Sequence, residues 1–254
     1  MRFPLLLCVL SSLLLSCILP VKAEGPLRIA IDVPYPPFAF LDEQGNLTGF
    51  DIDLSKALCS EMKRECEFKI VPFDDLIPSI VNGNADIAVA GLGYTKERAA
   101  LVDFSDRYYR SHSIFIEKPG TVPALSKEGL TGRKIGVQAG TIQESYLNQE
   151  YKDVATIVTF QTFEELLAAV HNDRIDTALV DGLPTYAYLR SPEGSALETL
   201  GEPIKSGMLV GASYIGVSKK TPEITQQLNA AIQTLRTNGE YGKINRKYFD
   251  FDIY

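Results

Sequence analysis

Arg98 and Asp181 are the residues from which a chemistry can be built. A guanidinium is a fixed cation that grips a carboxylate with two parallel hydrogen bonds, and a carboxylate at 181 answers an ammonium group. Gly91, Gly93 and Gly140 let backbone come close to a bound molecule. The N–H groups at Thr141 and Ile142 open a predicted helix, a ready anion site. The set suits a zwitterion, with its carboxylate on Arg98 and backbone N–H groups and its α-ammonium on Asp181. Tyr35 and Phe73 add flat apolar walls for a side chain between them, with Asp32 near its far end. Each residue also has a plainer use. Arg98 could pair with Asp103 or Glu97 on the surface, and Asp181 could cap the helix that begins near Leu183. Tyr35 and Phe73 could sit in a core, and Asp51 and Asp53 read most simply as acidic residues at a helix start.

These residues follow predicted strands, and ligands of parallel sheets collect outside the carboxyl ends of strands. Leu27 to Ile31 reads as a buried strand and leads into Asp32-Val33-Pro34-Tyr35. Asp86 to Ala90 leads into Gly91 to Arg98, Lys134 to Val137 into Gln138 to Gln143, and Asp176 to Val180 into Asp181. Phe68 to Val71 and Ala155 to Phe160 are further strands. Between them, Asp51 to Met62 is amphipathic, with Ile52, Leu54, Leu58 and Met62 on one side, and Asp74 to Val81 and Phe163 to His171 are helices. Strands alternating with helices predict an α/β protein of βαβ units with mostly parallel sheets.

An internal echo predicts two similar lobes. Phe73-Asp74-Asp75-Leu76-Ile77 and Phe163-Glu164-Glu165-Leu166-Leu167 lie about 90 positions apart, as do Asn82 and Asn172, Asp86 and Asp176, Ala88 and Ala178. Tyr108 to Glu117 and Ile204 to Val217 read as extended crossings, and Pro222 to Phe249 as helical. The expected division is lobe 1 at 24–110 and 210–254, lobe 2 at 113–203, and a hinge at 111–112 and 204–209. All four strand ends then face one another only across a cleft.

Composition bounds the rest. The 254 residues are 45% hydrophobic and 22% charged, enough for a core and unlike a disordered chain. With 25 basic and 32 acidic residues the net charge is −7, which argues against a nucleic-acid partner. Residues 1–23 carry Arg2, an apolar run from Phe3 to Leu19 and a small-residue ending at Ala23, the pattern of an export signal. Leu14-Leu15-Ser16-Cys17 resembles a lipoprotein box, so a lipid anchor at Cys17 is the alternative to cleavage after Ala23. A permanent span is the other reading of this segment, but the run is short for one. The body keeps Cys59 and Cys66, which could close a short loop; export favours a disulfide over two buried thiols. Neither His112 nor His171 has metal-like spacing to them, so no metal and no cofactor is expected.

Taken with its motifs, the chain from Leu27 to Tyr254 resembles the bacterial extracellular solute-binding proteins of the polar amino acid class, which serve ABC importers. The resemblance rests on Asp32-Val33-Pro34-Tyr35-Pro36-Pro37-Phe38, Gly49-Phe50-Asp51-Ile52-Asp53-Leu54, Leu76-Ile77-Pro78-Ser79 and Thr95-Lys96-Glu97-Arg98. It extends to Lys134-Ile135-Gly136-Val137-Gln138-Ala139-Gly140-Thr141, Gly239-Glu240-Tyr241 and Lys247 to Asp252. The cysteine pair and Tyr248-Phe249-Asp250-Phe251-Asp252 look closest to the lysine/arginine/ornithine- and histidine-binding members. The resemblance implies a type II periplasmic-binding-protein fold, two lobes that close on an L-amino acid. It implies that Arg98 and the N–H groups of Gly93 and Ile142 hold the α-carboxylate, and Asp181 the α-ammonium. Tyr35 and Phe73 would sandwich the side chain and Asp32 would meet its distal cation; Ala90, Gly91, Gln138, Thr141 and Gln143 complete the expected set. Basic-amino-acid binders usually carry serines where this sequence has Ala90, Gly91 and Gly93, and Gln138 stands where an apolar residue is common. The expected protein is a monomeric periplasmic binder of arginine first, then lysine, ornithine or histidine, that partners ABC permease subunits and touches the membrane only through them or a lipid at Cys17. An enzyme like cyclohexadienyl dehydratase is the main rival; it needs a positioned proton donor in the cleft, and neither histidine lies at a strand end. A sensory module would continue into a transmembrane segment, whereas the sequence stops at Tyr254.

Overall fold

Two five-stranded sheets divide the residues that the computed structural model describes, 25–204, 207–209 and 211–254. The expected export signal at 1–23, with Cys8 and Cys17, lies outside the described residues. The chain opens with β1 (Leu27–Ile31), a hairpin of β2 (Phe40–Leu41) and β3 (Leu47–Thr48), α1 (Phe50–Glu61) and β4 (Cys66–Ile70). A 3-10 turn (Phe73–Asp75) runs into α2 (Leu76–Val81), where one helix was expected, and β5 (Ile87–Gly93), α3 (Lys96–Leu101) and β6 (Asp103–Arg110) follow. Next come β7 (Ser113–Glu117), α4 (Lys127–Leu130), β8 (Lys134–Gln138), α5 (Ile142–Glu150), β9 (Thr156–Phe160), α6 (Phe163–His171) and β10 (Thr177–Asp181). The chain continues through α7 (Gly182–Leu189), β11 (Glu198–Ile204), β12 (Ala212–Val217), α8 (Pro222–Thr237) and α9 (Glu240–Tyr248). A 3-10 turn at Gly207–Leu209 interrupts the stretch expected to be extended from Ile204 to Val217.

The sheet orders are β4-β1-β5-β12-β6 and β11-β7-β10-β8-β9. Both are mixed rather than mostly parallel. β1 pairs in parallel with β4 and β5, and β8 with β9 and β10, as helical crossovers require. β12 and β7 run antiparallel to their neighbours. The reason is the hinge: these two strands enter their sheets straight from the other lobe. They therefore run away from the cleft that the other strands run towards. The two crossings touch, since the Ser111 N–H donates to the Gly211 carbonyl over 3.1 Å.

Burial follows the apolar pattern. Leu27, Ile29 and Ile31 of β1 are fully covered, each such side chain contributing about 1.5–3 kcal/mol. Phe50, Leu54 and Leu58 of α1 share one core with Leu228 and Ile232 of α8 and Tyr241 and Ile244 of α9, so the C-terminal helices pack on the first sheet. In the second lobe, Thr162 and Glu165 form a capping box that starts α6, which buries Leu166 and Val170 against Ile116, Ala178 and Val180 of the sheet. Cys59 and Cys66 form a disulfide with a Cα–Cα separation of 5.9 Å, tying the end of α1 to the start of β4.

Candidate functional site

β5 and α3 place Arg98. Thr95 caps α3, its hydroxyl accepting from the Arg98 N–H at 3.1 Å, which aims the side chain back across the end of β5. The guanidinium donates through Nη1 to the Gly93 carbonyl at 2.7 Å and through Nη2 to the Gly140 carbonyl of the other lobe at 2.8 Å. It lies 5.7 Å from the centre of the Phe73 ring. Among the described residues it has no carboxylate partner, so neither Asp103 nor Glu97 takes it. Desolvation lowers its pKa to about 10, which leaves it charged at neutral pH with N–H donors to spare.

Asp181 ends β10 and does two things at once. Its Oδ1 accepts from the Ser111 hydroxyl at 2.5 Å and from the Leu183 N–H at 3.1 Å, capping α7. Its Oδ2 accepts no hydrogen bond from the described residues, and the residue lines the cleft cavity. Burial pushes the carboxyl up to about 6 against the pull of those two donors. Capping α7 therefore uses one oxygen and leaves the other without a partner among the described residues.

One cavity between the lobes is lined by Tyr35, Phe73, Ala90, Gly91, Gly93 and Arg98 from the first lobe and by Gln138, Thr141, Ile142, Gln143 and Asp181 from the second. Of the residues expected to meet a ligand, Asp32 and Gly140 do not line this cavity; the Gly140 carbonyl is taken by Arg98. Asp32 is 4% exposed and accepts at Oδ2 from the Gln138 amide at 2.9 Å. Thr141 caps α5, its hydroxyl accepting from the Glu144 N–H at 3.2 Å, and Thr141, Ile142 and Gln143 at the start of the helix line the cavity. Gln143 donates to the Ser113 hydroxyl at 3.0 Å.

The glycines at the end of β5 answer to the residues behind them. Gly91 has φ +63°, and a Cβ there would lie 2.3 Å from the Tyr109 hydroxyl. The Gly91 N–H donates to the hydroxyl of Tyr108, a buried residue that does not line the cavity, at 2.8 Å. Tyr108 in turn meets Asp51, which is buried, with burial pushing its carboxyl up to about 8. Asp51 is thus more than a helix-start acid: it sits beneath the cleft floor. A Cβ on Gly93 would lie 2.8 Å from Cδ1 of Ile142, so the first lobe's strand and the second lobe's helix meet only because position 93 has no side chain.

Sequence reasoning missed Ser111, His112, Ser113, Phe163 and Ser213, all on the cavity wall. The Tyr35 ring meets Phe163 edge-on at 5.4 Å, an aromatic pair that closes one end of the cleft across the lobes. The echo of Phe73 in Phe163 was the signal that could have found it. Ser111 and His112 had none, because they belong to the hinge rather than to a strand end.

Comparison with known proteins identifies the family and agrees with the two-lobe fold. The family model for bacterial extracellular solute-binding proteins, family 3, matches residues 27–251. The L-arginine-binding protein of Pseudomonas aeruginosa is 33% identical over 98% of this chain and 98% of its own. The histidine-binding periplasmic protein of Escherichia coli is 33% identical over 90% of this chain and 89% of its own. An ancestral arginine-binding protein solved with arginine bound superposes with a TM-score of 0.82 at 33% identity, covering 89% of this chain and 99% of that one. An ancestral amino acid-binding protein, a precursor of cyclohexadienyl dehydratase, gives 0.79 at 30% identity, over 89% of this chain and 96% of that one.

Proposed function

This chain belongs to the bacterial extracellular solute-binding proteins, family 3, and from that premise we propose that it is an exported protein that captures a cationic L-amino acid, arginine first and then lysine, ornithine or histidine, and hands it to an ABC importer. The observation that carries the reading is that a guanidinium with no carboxylate partner among the described residues and a half-satisfied carboxylate, one from each lobe, line a single cavity. Their charges match the two ends of an α-amino acid, and the backbone N–H groups at the start of α5 supplement Arg98. Closure brings both lobes into one surface, which is the form a permease would read.

Calorimetric titration with the proteinogenic amino acids plus ornithine and citrulline tests this. Arginine is expected to bind in the micromolar range or tighter, and Arg98→Ala to cost about 2–5 kcal/mol, as for truncating one member of a desolvated charge pair. A protein indifferent to every amino acid sinks the reading. Unchanged arginine affinity in Arg98→Ala removes that residue from it.

A second reading has one observation in its favour. His112, although it follows no strand end of the expected set, lines the cavity, and an ancestral amino acid-binding protein, a precursor of cyclohexadienyl dehydratase, shares the fold. A dehydratase would use such a group as proton donor. Incubation with prephenate and arogenate decides it, since an aromatic product forms only if the cleft is catalytic.

A further inference from the structure

Gln138 has no part in holding the two ends of a zwitterion, yet it is 6% exposed and held on two sides. It ends β8 in the second lobe. Its Nε2 donates to Oδ2 of Asp32, which follows β1 in the first lobe, at 2.9 Å, and to the Gln161 carbonyl at 3.3 Å. Both partners are acceptors, so the amide's NH2 end is fixed against them and the flipped orientation is excluded. Oε1 accepts no hydrogen bond from the described residues and is not sealed off from solvent. Gln138 lines the cavity and Asp32 does not. The carboxamide therefore engages one oxygen of the acid, Oδ2, from the cavity wall, while Asp32 Oδ1 accepts no hydrogen bond from the described residues.

Resting on the amino-acid reading above, we propose that Gln138 determines side-chain selectivity: it occupies Oδ2 of Asp32 and presents Oε1 as the acceptor for the distal group of the ligand. The class of ligand that fits is an L-amino acid whose side chain ends in an N–H donor, whether charged (guanidinium, ammonium) or neutral (ureido, carboxamide). A buried carboxylate without a partner discriminates strongly for a cation, because a neutral group leaves its charge uncompensated. A neutral amide oxygen leaves no such charge and separates charged from neutral donors only modestly. The geometry exchanges cation specificity for donor specificity.

Arginine and citrulline share length and shape and differ in charge at the distal group, so their affinity ratio reads this directly. Calorimetry on the wild-type protein is expected to give a ratio of about tenfold or less. In Gln138→Leu, Asp32 loses its amide donor and its charge is left uncompensated beside the cleft, so the ratio is expected to rise at least tenfold. Gln138→Met repeats the test with an unbranched side chain of similar length, and thermal unfolding of each variant without ligand confirms that it folds. A wild-type ratio well above tenfold, which needs no variant to measure, overturns the inference. So does a ratio that both variants leave unchanged, whatever happens to the absolute affinities. Wild-type protein that binds neither amino acid refutes the amino-acid reading itself, and the selectivity claim falls with it; binding with an unaltered ratio refutes only the role of Gln138.

Discussion

A serine placed at position 91 would need its Cβ within 2.3 Å of the Tyr109 hydroxyl and a backbone at φ +63°. The hydroxyl that basic-amino-acid binders are expected to carry on this strand has no room here, because Tyr109 already fills that space from β6. Tyr109 can do so through a local irregularity: the register between β6 and β12 shifts at Tyr108, so Tyr108 and Tyr109, successive residues, are both buried beneath the site. Gly91→Ser is therefore expected to lower stability by about 1–3 kcal/mol through strain and overpacking, and to leave arginine affinity no higher. Denaturant unfolding measures the loss, and Tyr109→Phe in the same chain should return part of it by removing the obstructing oxygen. A Gly91→Ser protein as stable as wild type contradicts this account.

At the scale of elements, the 90-residue echo is a repeat of structure. β1, β4 and β5 of one sheet stand as β8, β9 and β10 of the other, and the hinge strands β12 and β7 occupy matching places. Asn82 and Asn172 both end helices. Asp86 and Asp176 both anchor the strand that opens each parallel set: Asp86 accepts from the Arg28 N–H and guanidinium, Asp176 from the Lys134 N–H and the Arg133 guanidinium. Phe73 and Phe163 both reach the cleft. The lobes differ in the disulfide, which only the first carries among the described residues. It closes a short loop joining α1 to β4. The chain-entropy model gives it about 2.5 kcal/mol. Replacing both cysteines by serine is expected to lower the unfolding midpoint accordingly in urea, with little change in ligand affinity, because α1 and β4 meet far from the strand ends. A loss of binding with unchanged stability would show that the crosslink shapes the cleft instead.

The whole molecule is held closed by contacts that cross between lobes: Arg98 with the Gly140 carbonyl, Asp32 with Gln138, Ile142 against Gly93, and Tyr35 against Phe163. Closure excludes water, and that is what pushes Asp32 and Asp181 up to about 6. The sign of the consequence differs for folding and for binding. Both carboxyls hold protons more tightly folded than unfolded, so the stability they contribute to the ligand-free protein is present below about pH 4 and is lost as pH rises through 6. Binding runs the other way, since an α-ammonium needs Asp181 ionised. Arginine affinity is expected to fall about tenfold per pH unit below pH 6, each unit of pKa difference being about 1.4 kcal/mol. Calorimetry between pH 5 and pH 7 checks it. An affinity flat across that range would place Asp181 outside the ammonium subsite.

Hydrophobic period and strand-end position are local properties, and they made the elements, the paired lobes and most of the cleft residues legible in the linear chain. Arg98 and Asp181 could be named because each follows a strand whose buried run is continuous in sequence. What decided the rest was distance between residues remote along the chain. The Tyr109 hydroxyl behind Gly91, Asp51 beneath Tyr108, Phe163 edge-on to Tyr35, the hinge residues on the cavity wall and the Gln138 amide against Asp32 depend on sheet register and on how two separately folded lobes meet. No periodicity encodes that meeting. The mixed sheets belong to the same class, because the direction of β7 and β12 is set by where the chain crosses the hinge and not by the residues within them.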